Sequence, residues 1–123
     1  MQSEETLSKQ QSKQGKIPIK HLSVYNTKTL NKGSLELLLK ELTNIKWDII
    51  GLNETKMKYS DIQTINNGHM LFLSSNENKR ANGTGFLVNK KIVNNIQQYQ
   101  GYSDRLSYIA LQGKKNKIHI LQA

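Results

Sequence analysis

The stretch from Gly33 to Leu52 constrains the fold of this chain more tightly than any other. Leu35, Leu38, Leu42 and Ile45 recur at intervals of three and four residues, and Leu39 widens the stripe, so one face of a helix is apolar. Gly33 and Ser34 open that helix, with Ser34 as the expected N-cap and Glu36 near the positive end of the helix dipole. The run Trp47-Asp48-Ile49-Ile50-Gly51-Leu52 follows without alternation, the pattern of a strand buried on both faces. Ahead of the helix, Ile19–Tyr25 reads as a strand and Asn26–Lys32 as a polar loop. A strand, a helix and a buried strand make a βαβ unit, whose two strands lie parallel or nearly so.

The second half changes character. His69–Leu73, Gly83–Val88, Ser107–Leu111 and Ile118–Leu121 read as strands, with turns expected at Asn78–Gly83 and Gln112–Asn116. No second long helix and no internal repeat is visible. The expected fold class is α/β, a mixed sheet carrying one long helix on one face.

Composition sets the size of the core and the kind of partner. The hydrophobic fraction is 36%, below the roughly 45–50% of a typical globular domain. That implies a thin core, a sizeable disordered part, or a piece of something larger. Met1–Lys16 is rich in Gln, Ser and Lys, so residues 1–18 are expected to be a disordered basic leader and 19–123 the folded part. The formal charge is +9, from 18 Lys and Arg against 9 Asp and Glu. That excess fits DNA or RNA as a partner, although scattered lysines also make an ordinary solvated basic surface. The absence of cysteine excludes disulfides and thiolate metal sites. No apolar run approaches the roughly 20 residues of a membrane span, and Met1–Lys16 has no apolar signal core, so an intracellular protein without a membrane partner is expected.

In open α/β sheets, functional groups gather just past the carboxyl ends of the strands. Asn26 follows the first expected strand and Glu54 the second, which sets an amide and a carboxylate at one rim if the strands are neighbours. A carboxylate there suits a hard cation such as Mg²⁺, and an amide suits a second carboxylate or a phosphate oxygen. By spacing alone both also serve as ordinary turn residues. Asp104 and Arg105 are a further pair suited to phosphate or to each other. Gly83 and Gly85 lack the strand-to-helix context and the Lys-Ser/Thr ending of a phosphate loop, so tight backbone packing accounts for them better. His21, His69 and His119 follow no metal-ligand spacing.

Five stretches together resemble one family. Tyr25-Asn26-Thr27-Lys28-Thr29-Leu30 is similar to the element opening the endonuclease domains of RTE-type non-LTR retrotransposons and the related craniofacial-development-protein-2-like sequences. The helix around Leu35–Leu42 and the run Trp47–Lys56 resemble that family's next element. Asn82-Gly83-Thr84-Gly85-Phe86-Leu87-Val88-Asn89-Lys90-Lys91 resembles a later strand, Tyr102–Leu106 its Ser-Asp-Arg segment, and Ile118–Ala123 the strand after it. The resemblance to this branch of the exonuclease–endonuclease–phosphatase superfamily runs from about Ile19 to the C-terminus.

It implies half of a two-sheet DNase I-like sandwich and a parent activity of Mg²⁺- or Mn²⁺-dependent DNA hydrolysis that nicks a retrotransposon target. It also implies a nuclear location where that function is kept. Glu54 takes the place of the metal-binding Glu and Asn26 that of an active-site Asn, while Asp104 and Arg105 match a segment that orients phosphate or pairs internally. Lys28 departs from the pattern, standing where several superfamily members carry an acid or amide near the metal. The family's later Tyr-Ala-Pro, Gly-Asp-Phe-Asn and Ser-Asp-His motifs have no counterpart here. The groups that activate water and stabilise the reacting phosphate are therefore expected in a missing C-terminal half, and this chain is expected to be inactive. A catalytically dead, nonspecific nucleic-acid-binding fragment, or a degraded gene product, is the alternative. Half a sandwich is further expected to leave the inner face of its sheet bare.

Overall fold

The structure is a computed structural model and describes residues 18–57, 59–65, 68–76 and 82–123. The expected leader, save Pro18, lies outside the described residues, as do residues 78–81 of the expected turn Asn78–Gly83. The described residues form two sheets and one α-helix. The first sheet contains β1 (Leu22–Asn26), β2 (Ile49–Asn53), β3 (Asp61–Thr64), β4 (Met70–Ser74) and β5 (Thr84–Val88), with helix α1 (Lys32–Leu42) between β1 and β2. A 3-10 helix (Lys90–Asn95) leads to the second sheet, β6 (Ile96–Ser103), β7 (Leu106–Gln112) and β8 (Lys117–Gln122). The strand orders are β1-β2-β5-β4-β3 and β6-β7-β8. Among the described residues only the β1–β2 pair is parallel, so the first sheet is mixed and the second antiparallel. The mixed sheet with a long helix on one face agrees with the sequence reading.

Alternation along the central strands divides the core in two. Ile50 and Leu52 of β2, Leu71 and Leu73 of β4, and Leu87 of β5 face α1, where they cluster with Leu30, Leu38, Leu42 and Trp47. Ile49, Phe72, Phe86 and Val88 face the other way, against Ile92, Ile109 and Leu111. Every residue of β5 is buried, as a strand covered on both faces must be. Gly85 belongs here for steric reasons: a Cβ on it would lie 2.0 Å from the Phe72 carbonyl oxygen of neighbouring β4.

Local details depart from expectation. The N-cap of α1 is Asn31, not Ser34. The Asn31 side chain accepts from Ser34 N–H and the Ser34 hydroxyl accepts from Asn31 N–H, both at 2.9 Å, which makes Ser34, the third residue of the helix, the far end of a capping box. Ile45 lies beyond the helix and is 60% exposed. β1 starts at Leu22 rather than Ile19, because the chain before it is tied instead to a buried carboxylate. Asp48 Oδ2 accepts from Lys20 N–H at 2.7 Å and His21 N–H at 2.9 Å, and Oδ1 meets Lys91 Nζ at 3.1 Å. Burial pushes the Asp48 carboxyl up, but the two amides and then Lys91 outweigh it and hold it below the usual aspartate range.

The inner face of the first sheet is not bare, contrary to expectation. The second sheet covers it and buries Phe86, Ile49 and Phe72. What stays open is narrower, an apolar groove between β1 and β8 of about 150 Å³. Along it Leu22, Val24 and Leu121 are 52%, 67% and 66% exposed.

Candidate functional site

The parallel pairing of β1 with β2 sets Asn26 opposite Asn53, so Asn26 and Glu54 leave the sheet at the same rim. The Asn26 amide is fixed from both ends: its Oδ1 accepts from Lys28 N–H at 2.8 Å, and its Nδ2 donates to Glu54 Oε2 at 2.5 Å. Both side chains reach the surface. Thr27 ties the ends of the two strands together, its hydroxyl shared between the backbone carbonyls of Asn53 at 3.2 Å and Glu54 at 3.0 Å.

The rim is built from unusual backbone. Lys28, Glu54, Lys56 and Asn82 have φ of 62°, 54°, 54° and 56°, and Gly83 has φ of 98°. For a residue with a Cβ that conformation costs about 1–2 kcal/mol. Hydrogen bonds hold the turns together, Lys56 N–H to Asn82 carbonyl at 2.7 Å and Gly83 N–H to Asp104 carbonyl at 2.8 Å. Clustered strain of this kind marks sites more often than plain loops. Gly83 is required by its backbone and by space, since a Cβ there would fall 2.2 Å from Thr55 Oγ1. Neither Gly83 nor Gly85 forms a phosphate loop, as the sequence reading had it.

An open cleft of about 390 Å³ lies at this rim, lined by Asn53, Glu54, Asn82, Asp104, Arg105 and Ala123 among others. Asp104 accepts from Asn82 Nδ2 at 3.2 Å, and no ion pair joins Asp104 to Arg105 among the described residues. Arg105 is exposed at the mouth. The sequence reading did not single out Asn53 or Asn82. Asn82 lay inside the turn expected over Asn78–Gly83, but Asp104 as its partner lies 22 residues away.

Two oxygens bear on metal binding. Glu54 Oε1 takes no hydrogen bond among the described residues once Oε2 is taken by Asn26, and Asn53 Oδ1 is buried without a partner among them. Both are hard donors suited to Mg²⁺ or Mn²⁺, ions that take one or two carboxylates and complete their shell with water and phosphate. No group of three or more His, Cys, Asp and Glu is placed for an all-protein metal cage among the described residues. The donor set therefore fits a cation held by one carboxylate and shared with a substrate. The histidines stand apart from it. His69 accepts from Lys90 N–H at 2.9 Å against the edge of Trp47, and burial, then Lys90, lowers its pKa. His119 pairs with Tyr108 on the second sheet.

Fold and rim together define a mixed α/β, two-layered sheet structure with an amide–carboxylate pair at the carboxyl ends of its parallel strands. No family model matches the sequence. The chain is distantly related to craniofacial development protein 2: the proteins of that name from Tragulus javanicus and Bos taurus are each 26% identical to it over 102 residues. The match takes in 82% of this chain but 17% of theirs, so the chain spans less than a fifth of the length of these relatives. No helix among the described residues is long and apolar enough to cross a membrane.

Proposed function

We propose that this chain carries the cation-binding rim of a Mg²⁺- or Mn²⁺-dependent DNA phosphodiesterase of the exonuclease–endonuclease–phosphatase type, related to RTE-type retrotransposon endonucleases, and that alone it binds the cation without turning over substrate. The observation that carries this reading is the 2.5 Å contact between Asn26 Nδ2 and Glu54 Oε2 at the ends of adjacent parallel strands. A bound divalent cation supplies charge neutralisation at the scissile phosphate and at the leaving oxygen. Glu54 holds it through the oxygen that Asn26 leaves free, while Asn26 fixes the rotamer of the carboxylate. Arg105, exposed across the cleft, meets a second phosphate oxygen, and Lys28 and Lys56 flank the rim with positive charge. The cleft offers no histidine to take a proton from water, so hydrolysis needs groups supplied from elsewhere.

Two measurements test this. Titration with Mn²⁺ is expected to broaden the amide resonances of Asn26, Asn53 and Glu54 before any others, and Glu54→Gln is expected to abolish the effect. Uniform or absent broadening defeats the metal-binding reading. Supercoiled plasmid with Mg²⁺ is expected to stay intact, and nicking that disappears in Glu54→Ala overturns the inactive part of the proposal.

A further inference from the structure

The turn that joins β6 to β7 sets an acid and a base side by side at the cleft, Asp104 and Arg105. Three hydrogen bonds fasten it to the first sheet. Ser74 Oγ donates to the Ser103 carbonyl at 2.7 Å, Gly83 N–H to the Asp104 carbonyl at 2.8 Å, and Asn82 Nδ2 to Asp104 Oδ2 at 3.2 Å. Within the turn, Ser103 Oγ accepts from Arg105 N–H at 3.1 Å. Asn82 is also held from the Glu54 side, where its carbonyl accepts from Lys56 N–H at 2.7 Å. It therefore stands between the strand end that carries Glu54 and the turn that carries Arg105. Its φ of 56° is one that glycine adopts without steric cost, so the backbone needs no amide there. What asparagine adds is the contact to the carboxylate. An exposed carboxylate–guanidinium pair is weak, so one hydrogen bond suffices to divert the acid. Arg105 is exposed and, among the described residues, unpaired with Asp104.

We propose that Asn82 is a positioning residue of the cleft: by holding the Asp104 carboxylate it keeps that acid off Arg105 and leaves the guanidinium free for a phosphate oxygen. The inference rests on the reading of the cleft as a phosphodiester site. A guanidinium gives a phosphate two parallel N–H···O bonds only while no carboxylate occupies the same edge. Without the amide, Asp104 turns to its neighbour, and an incoming phosphate must first break that pair. The same hydrogen bond fixes where the Arg105 side chain leaves the backbone relative to Glu54, the kind of placement on which productive contact with a reacting group depends.

Titration of inorganic phosphate into the isotope-labelled full chain, without a divalent cation, tests it through the Arg105 Nε–H resonance. Phosphate is expected to shift that resonance in the wild-type chain. Asn82→Gly, which keeps the backbone conformation, is expected to weaken phosphate binding roughly 2- to 5-fold, the strength of the exposed ion pair it allows. Adding Asp104→Asn to Asn82→Gly is expected to restore wild-type affinity or better, a rescue that a merely structural Asn82 would not show. Mn²⁺ is expected to broaden the Glu54 amide equally in all of these chains. Failure of Mn²⁺ to reach Glu54 defeats the cation reading alone, because the phosphate titration runs without it. An Arg105 resonance that ignores phosphate overturns the present proposal. Unchanged affinity in Asn82→Gly, or no rescue by Asp104→Asn, overturns it equally. Should Asn82→Gly unfold, Asp104→Asn by itself decides. With the acid already held by Asn82, it is expected to raise phosphate affinity by no more than about threefold, the effect of removing one nearby charge in water. A larger rise shows that Asp104 competes for Arg105 despite Asn82, and overturns the proposal.

Discussion

Replacing Asp48 with asparagine probes how the end of the sheet remote from the rim is held. Asp48 is 2% exposed and accepts two backbone N–H groups, from Lys20 and His21, while its other oxygen faces Lys91. Asparagine keeps one acceptor oxygen but turns an NH₂ group toward either the two amides or the ammonium. A hydrogen bond to a charged group is worth about 1.5–3 kcal/mol against about 0.5–1.5 for a neutral one, so weakening two of them costs about 2–3 kcal/mol. For a domain of about 100 residues that lowers Tm by roughly 10–20 °C. Lys91→Met is expected to cost less than about 1 kcal/mol, because the Lys91 side chain is 48% exposed and reaches water.

The pH dependence has a definite sign. Unfolded aspartate titrates near about 3.9, and folded Asp48 lies below its usual range. Its stabilisation is therefore complete above about pH 4 and is lost as pH falls through the folded value. Thermal melts followed by circular dichroism at pH 7 and pH 3 should show a large deficit for Asp48→Asn at the higher pH and a smaller one at the lower. A deficit equal at both pH values, or one matched by Lys91→Met, refutes the reasoning.

Three further substitutions test the packing. Gly85→Ala sets a methyl group against the Phe72 backbone and is expected to cost more than about 3 kcal/mol. Gly51→Ala meets only the movable end of Gln122 and is expected to cost about 1 kcal/mol; urea midpoints compare the two. Phe86→Ala empties the contact between the sheets and is expected to cost about 3–5 kcal/mol, read as a lower urea midpoint with unchanged slope.

Legibility in the sequence followed how local each signal was. The stripe Leu35–Leu42 and the run Ile49–Leu52 revealed α1 and β2 because helical period and continuous burial are written in neighbouring residues. β3 was missed because a four-residue, largely exposed strand leaves no apolar pattern. β6 was missed because its register shifts twice against β7 and its sequence is mostly Gln and Tyr. The rim was half legible. Asn26 and Glu54 stood out as residues following strands, whereas Asn53, Thr27 and Asn82 act through partners that no spacing rule identifies.

The sequence by itself determined the βαβ opening, the parallel β1–β2 pair and the burial of the central strands, all of which follow from periodicity and the short reach of a βαβ connection. Tertiary structure alone decided that β5 inserts between β2 and β4, that a second sheet covers Phe86, and that Asp48 ties down Lys20 and His21. It also decided that the Asn26 amide meets the Glu54 carboxylate across 28 residues of chain. Those outcomes depend on strand order and register, which are set by how separated segments share one core and leave no mark on the residues beside them.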